Sequence, residues 1–66
     1  MSDKTPIEMA CEFVGSQSAL ARKIGVKPQA VQRWVAKKYT PVRRALAVEK
    51  ATNGKIKASQ LCPDFY

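Results

Sequence analysis

Residues Gln17 to Ala36 read QSALARKIGVKPQAVQRWVA, two short helical patterns separated by a glycine. In the first, Leu20, Ala21 and Ile24 share one helical face while Ser18, Arg22 and Lys23 point elsewhere. Ser16 just before it is an N-cap type, because a hydroxyl at that position accepts from a backbone N–H of the first turn. Gly25 ends the helix, since glycine enters the left-handed region without a Cβ penalty. After Val26 and Lys27, Pro28 opens the second helix at the position where its missing N–H costs nothing. That helix, Pro28 to about Lys37, carries two stripes. Val31, Trp34 and Val35 form an apolar one, and Gln29, Gln32, Arg33 and Ala36 recur at i, i+3, i+4 and i+7 opposite. An ordinary solvated face would mix Lys with Glu. Two amides, a guanidinium, a small residue and no acid are instead the groups that hydrogen-bond base edges.

Upstream, Thr5, Pro6 and Glu8 form a capping box with a first-turn proline. Ile7, Ala10, Cys11 and Val14 then recur at helical spacing until Gly15, so a helix is expected from about Pro6 to Val14, with Met9 and Phe13 flanking its apolar arc. Downstream, Thr40 and Pro41 repeat the cap and the first-turn proline, and Val42, Ala45, Leu46 and Val48 share an arc of a helix running through Thr52. Asn53-Gly54 would end that helix. The same dipeptide also suits a β-hairpin turn between AVEKAT and KIKASQL. The run of helix formers from Arg43 to Ala51 favours the helix, and the hairpin stands as the alternative. Glu49, the one acid in the basic region, is expected to pair with an Arg and orient two helices. A turn of helix around Ala58 to Leu61, stopped by Pro63, completes an all-α domain of five helices; the alternative is α+β with a C-terminal hairpin around Asn53-Gly54. Phe65 and Tyr66 either fold back onto Met9 and Phe13 or trail as a tail.

The whole chain of 66 residues reads as one domain, 1–66, and a domain this short buries only about 60% of its unfolded surface. It has no His, which excludes imidazole bases, His-ligated metals and Ser-His-Asp arrangements. Cys11 and Cys62 stand 51 positions apart, fit no zinc spacing and are expected as free thiols. The carboxylates Asp3, Glu8, Glu12, Glu49 and Asp64 form no evident acid/base pair, and no phosphate-binding loop motif occurs. No enzyme, no metal and no cofactor are expected. Without an 18-residue apolar run, and with MSDKTPIEM unlike a signal peptide, the expectation is a cytoplasmic protein with no membrane contact. The net charge of +7 is unevenly spread: Arg22 to Lys57 carries eleven Lys or Arg against Glu49, a balance of +10, and the remainder sums to −3. A polyanion is the natural partner of the middle and C-terminal part, driven by counterion release.

From Gln17 to Ala36 the chain resembles the helix-turn-helix of the phage repressor and Cro family, the lambda-repressor-like class. Gln17 matches the Gln that opens the first helix, Ala21 the small residue at the helix crossing, Gly25 the turn glycine, and Val31 and Trp34 the buried positions of the second helix. Lys27 departs from the pattern, where a Ser or Thr cap is frequent. VRRALAVEKATNGKIKASQLCPDF also looks like the C-terminal half of small Cro-type prophage regulators, and the length is that of a Cro protein, with no room for an effector or protease domain. The resemblance implies a sequence-specific repressor of double-stranded DNA, its second helix in the major groove of a palindromic operator in a bacterial cell. Lys27, Gln29, Gln32 and Arg33 are then the base-contact candidates. Ser16, Gln17 and Ser18 at a helix N-terminus, with Lys37, Lys38, Arg43 and Arg44, are the candidates for the DNA backbone. A homodimer is expected on DNA and a weak dimer or monomer in its absence. The other reading is a protein-interaction adaptor or antitoxin-like module that grips a partner through Met9, Phe13 and the C-terminal aromatics. RNA fits less well, because no aromatic pair accompanies the polar stripe.

Overall fold

The computed structural model describes residues 4–66, so Asp3 lies outside it. It is all-helical: α1 Pro6–Val14, α2 Gln17–Ile24, α3 Pro28–Lys37, α4 Val42–Ala51 and α5 Ala58–Leu61. The described residues contain no strand.

The local start signals act as expected. The Thr5 hydroxyl accepts from the Glu8 N–H at 3.4 Å while Glu8 Oε1 accepts from the Thr5 N–H at 3.1 Å, closing the capping box of α1. Ser16 Oγ accepts from the Ala19 N–H at 3.0 Å and starts α2. Gly25, at φ 78°, ends it in the left-handed conformation, its N–H and that of Val26 both donating to the Ala21 carbonyl. α2 packs against α3, α1 and α4. The main core joins Ile7, Ala10, Cys11, Leu20, Ala21, Val31, Trp34, Val48 and Ile56. A smaller one seats α5 on α4 through Ala45, Ala58 and Cys62.

In the C-terminal half the favoured helix stands and the alternative hairpin does not form: at φ 55° and 80° Asn53 and Gly54 close α4, with the Gly54 N–H donating to the Glu49 carbonyl at 2.9 Å. Buried Thr52 fixes this exit, since its Oγ donates to the Glu49 carbonyl at 3.0 Å and accepts from the Ile56 N–H at 3.1 Å. Other expectations change there. Thr40 does not cap α4. It is buried, its carbonyl accepts the Cys62 thiol at 3.0 Å, and Pro41 takes the N-cap position with no side-chain cap. Glu49 pairs with no Arg among the described residues; its Oε1 accepts from the Ala58 N–H at 2.7 Å and thereby starts α5. Leu46 lies outside the buried arc, half exposed. The tail turns toward α4 instead of α1, with the Tyr66 hydroxyl donating to the Val42 carbonyl at 3.4 Å and Phe65 edge-on to Tyr66. Both thiols are free and buried.

α3 ends in the same way as α2 but without a glycine. Lys38 holds φ 55°, and the Tyr39 N–H reaches back to the Trp34 carbonyl at 3.0 Å. A left-handed residue with a Cβ is strained by roughly 1–2 kcal/mol. Lys38→Gly is therefore expected to stabilise the chain by about 1 kcal/mol, raising the thermal midpoint read by circular dichroism by about 4–8 °C. Glu49→Ala should cost about 1–3 kcal/mol by stranding the Ala58 N–H, and Glu49→Gln, which keeps an acceptor, should cost less. Equal urea midpoints for the two Glu49 variants would contradict that role.

Candidate nucleic-acid interface

Three residues, Gly25 to Lys27, separate α2 from α3. Lys27 occupies its N-cap position without a side-chain cap, as the departure from the usual Ser or Thr implies. Val31 and Trp34 turn into the core and Val35 is half-buried. That orientation leaves Gln29, Gln32, Arg33, Ala36 and Lys37 exposed on the outer side. Two very different flanks border this stripe.

On one flank a groove of about 710 Å³ runs between the α2–α3 turn, α3 and the start of α4. Lys27, Gln29, Arg33, Arg43 and Arg44 line it, five of the eleven residues singled out in the sequence, and no carboxylate does. Four cations in one concavity with low-dielectric walls focus a positive potential outward. Arg33, Trp34 and Pro41 also border an adjoining cleft of about 290 Å³, completed by Lys37 and Tyr39. The sequence reading passed over Tyr39. The available signal was an aromatic residue inside the basic run KKYTPVRR, and the structure leaves it 57% exposed.

The other flank holds the N-terminus of α2. Ser16 and Gln17 line a hollow of about 230 Å³ there, together with Glu8, Cys11, Glu12, Gly15 and Val35. No Lys or Arg lines it. Its carboxylates are engaged, Glu8 in the capping box and Glu12 in an ion pair with Lys4. Ser16 Oγ accepts from the Ala19 N–H, which leaves its O–H able to donate. An incoming anion would meet that hydroxyl, the Gln17 side chain and the backbone N–H groups at the start of α2, with negative side chains beside them. Ser18, Gln32 and Lys38 are exposed and line none of these three hollows.

Among the described residues no group of three or more His, Cys, Asp or Glu side chains could hold a metal ion, and no helix is long and apolar enough to cross a membrane.

Residues 7–66 match the family described as Bacterial toxin YdaS. The chain is 41% identical over 59 residues to the protein YdaS of Escherichia coli, named as a candidate transcriptional regulator. That match covers 88% of this chain and 60% of the relative, so the chain spans about three fifths of the relative's length. Among solved structures, the Cro protein from the candidate prophage element Xfaso 1 of Xylella fastidiosa superposes with a TM-score of 0.90 at 35% identity. That superposition covers 94% of this chain and 95% of the other. The resemblance to Cro read from residues 17 to 36 thus extends to the five-helix fold.

Behind the acidic flank, burial pushes the Cys11 thiol above its ordinary pKa, and the charge of Glu8 adds to the effect. Burial alone does the same at Cys62. Both shifts suppress the thiolate, the nucleophilic form. As pH rises, the unfolded chain ionises first, so the stabilisation present below the ordinary thiol pKa is lost above it. Neither thiol should react with an aromatic disulfide reagent at pH ~8 on the time scale of a free thiol, and both should react once the chain is denatured in urea. Fast reaction of the native protein would contradict this burial.

Proposed function

The chain belongs to the YdaS toxin family, and from that premise we propose that it is a sequence-specific double-stranded DNA-binding regulator of Cro type that represses transcription by occupying an operator. The observation that carries this is the acid-free polar stripe of α3, exposed beside a groove walled by Lys27, Arg33, Arg43 and Arg44. α3 enters the major groove, where Arg33 can donate twice to a guanine and Gln29 or Gln32 can pair with an adenine. Lys27 reaches the edge of the same site from the leading end. Arg43 and Arg44, with Lys37 and Lys38, neutralise phosphates along one strand. The first turn of α2, with Ser16, Gln17 and Ser18, meets the other strand through backbone N–H groups. One ten-residue helix reads few base pairs, so the bound species is a two-fold dimer on a palindromic site, with α3 helices about 34 Å apart. This activity belongs to the cytoplasm of a bacterial cell.

Toxicity, the property in the family's description, is compatible with such an activity: a regulator that closes an essential promoter stops growth. The second reading, a protein-binding adaptor, draws on the exposed Phe13, Leu46, Phe65 and Tyr66. An adaptor has no steep salt dependence toward duplex DNA.

If each subunit neutralises about 4 phosphates, log K against log salt should slope near −3.5 per subunit. Arg33→Ala should relax the preference at one base pair per half-site by roughly 1–3 kcal/mol, whereas Lys37→Ala should weaken all sequences alike and flatten the slope by about 1. Binding to sites selected from a random duplex pool, compared with random duplex, measures both. A flat salt dependence sinks the proposal. An unchanged ratio of specific to random binding in folded Gln29→Ala, Gln32→Ala and Arg33→Ala alike would remove α3 as the reading element.

A further inference from the structure

The cleft at the C-terminal end of α3 has a chemistry of its own. Trp34, Tyr39 and Pro41 line it together with Arg33 and Lys37, and no carboxylate does. Aromatic and apolar residues beside two cations suit a ligand that has a flat or aliphatic body and an anion attached. At about 290 Å³ it sits at the lower end of the range of roughly 300–1,000 Å³ typical of small-molecule pockets. Its continuity with the basic groove suits one unit of a longer polyanion.

The placement of Tyr39 is also unusual. The left-handed Lys38 and the bond from the Tyr39 N–H to the Trp34 carbonyl pin its backbone at the end of α3. Its ring is nevertheless 57% exposed, and among the described residues nothing accepts or donates a hydrogen bond at its hydroxyl. Trp34 already seals the core at this end; Tyr39 stands outside it, between this cleft and a second hollow of about 320 Å³ that it lines with Val42, Leu61, Asp64 and Phe65 of α4, α5 and the tail. The cleft is continuous with the basic groove through Arg33, Trp34 and Pro41.

We propose that this cleft is a second DNA subsite, taking one deoxyribose–phosphate unit of the strand beside the bases met by Arg33. The sugar C–H face lies on the Tyr39 ring, the phenol O–H donates to a phosphate oxygen, and Lys37 supplies the charge. This rests on the DNA reading above and adds a residue that positions the duplex without reading its sequence.

The test is a titration of wild type, Tyr39→Ala, Tyr39→Phe and Lys37→Ala with a short random-sequence duplex and with a selected site, at several salt concentrations. Emission of Trp34, the only tryptophan, reports occupancy of groove and cleft together. Tyr39→Ala should weaken both duplexes by roughly three- to tenfold, the size of a lost hydrogen bond with its contact, and leave the salt slope unchanged because no charge is removed. Tyr39→Phe should lose a smaller part of that, and Lys37→Ala should flatten the slope. Wild-type affinity in Tyr39→Ala overturns the subsite alone. So does a loss accompanied by a flatter slope, which would make Tyr39 a prop for Lys37, or by a changed protein-to-DNA stoichiometry, which would place it in a protein contact. Should Tyr39→Ala melt early by circular dichroism, Tyr39→Phe decides: weaker binding supports the subsite and unchanged binding overturns it. A wild-type chain that binds no duplex overturns the DNA reading and the subsite together.

Discussion

The angle between α2 and α3 rests on one backbone conformation, the left-handed Gly25 at φ 78°. A Cβ built at this position would meet nothing within 4 Å. The constraint is thus torsional and not one of space, and any L-residue there is strained although nothing clashes. With the turn held, three residues suffice to bring Val31 and Trp34 over Leu20 and Ala21, and all four side chains are buried. Trp34 then serves two purposes at once. Its body closes the core, and its remaining edge forms part of the wall of both the basic groove and the adjoining cleft. Opening the helix pair would strip the core and dissolve the candidate site in the same step.

What could be read from the sequence was whatever is decided within a few residues. Thr5 with Glu8, Ser16 with Ala19, and Gly25 are local hydrogen-bonding or torsional choices, and each helix start or stop they mark agrees with the structure. What escaped was decided across the chain. Glu49 meets its partner nine residues on, at the start of α5, and a carboxylate surrounded in sequence by Arg and Lys gave no hint that a backbone N–H would claim it. Thr40 looked like a cap because a Pro follows it, yet a thiol 22 residues away fixes its carbonyl in the interior. Asn53-Gly54 was ambiguous for a physical reason: positive φ at both residues serves a hairpin turn and a helix end equally well. Thr52 and Ile56 decide it by tying the exit of α4 to the core.

The candidate site was legible as residue types and illegible as a grouping. The polar stripe of α3 followed from helical periodicity alone, and its exposure bears that out. The sequence could not show that Lys27, Arg43 and Arg44 share a groove with Gln29 and Arg33, since the loop before α4 sets that approach. It also could not show that the start of α2 sits beside Glu8 and Glu12 of another helix.

That last juxtaposition makes the face polar in the electrical sense. Cations gather on the α4 side of α3, and carboxylates, partly offset by Thr5 and Lys4, stand behind the first turn of α2. A polyanion approaching such a face gains most of its attraction on one edge. On the other, the oriented N–H groups of α2 act over the short range of a helix terminus, against a background of like charge. Attraction and registration are then divided between the two flanks: the α4 side would hold the strand, and the α2 side would accept a phosphate only where the amide geometry outweighs the nearby acids. A docking pose reversed about α3 would set the weaker anion site where the stronger is needed. Unfavourable juxtaposition is itself a source of specificity, so on the proposed DNA reading the acids of α1 would discriminate orientation without making a favourable contact with the ligand.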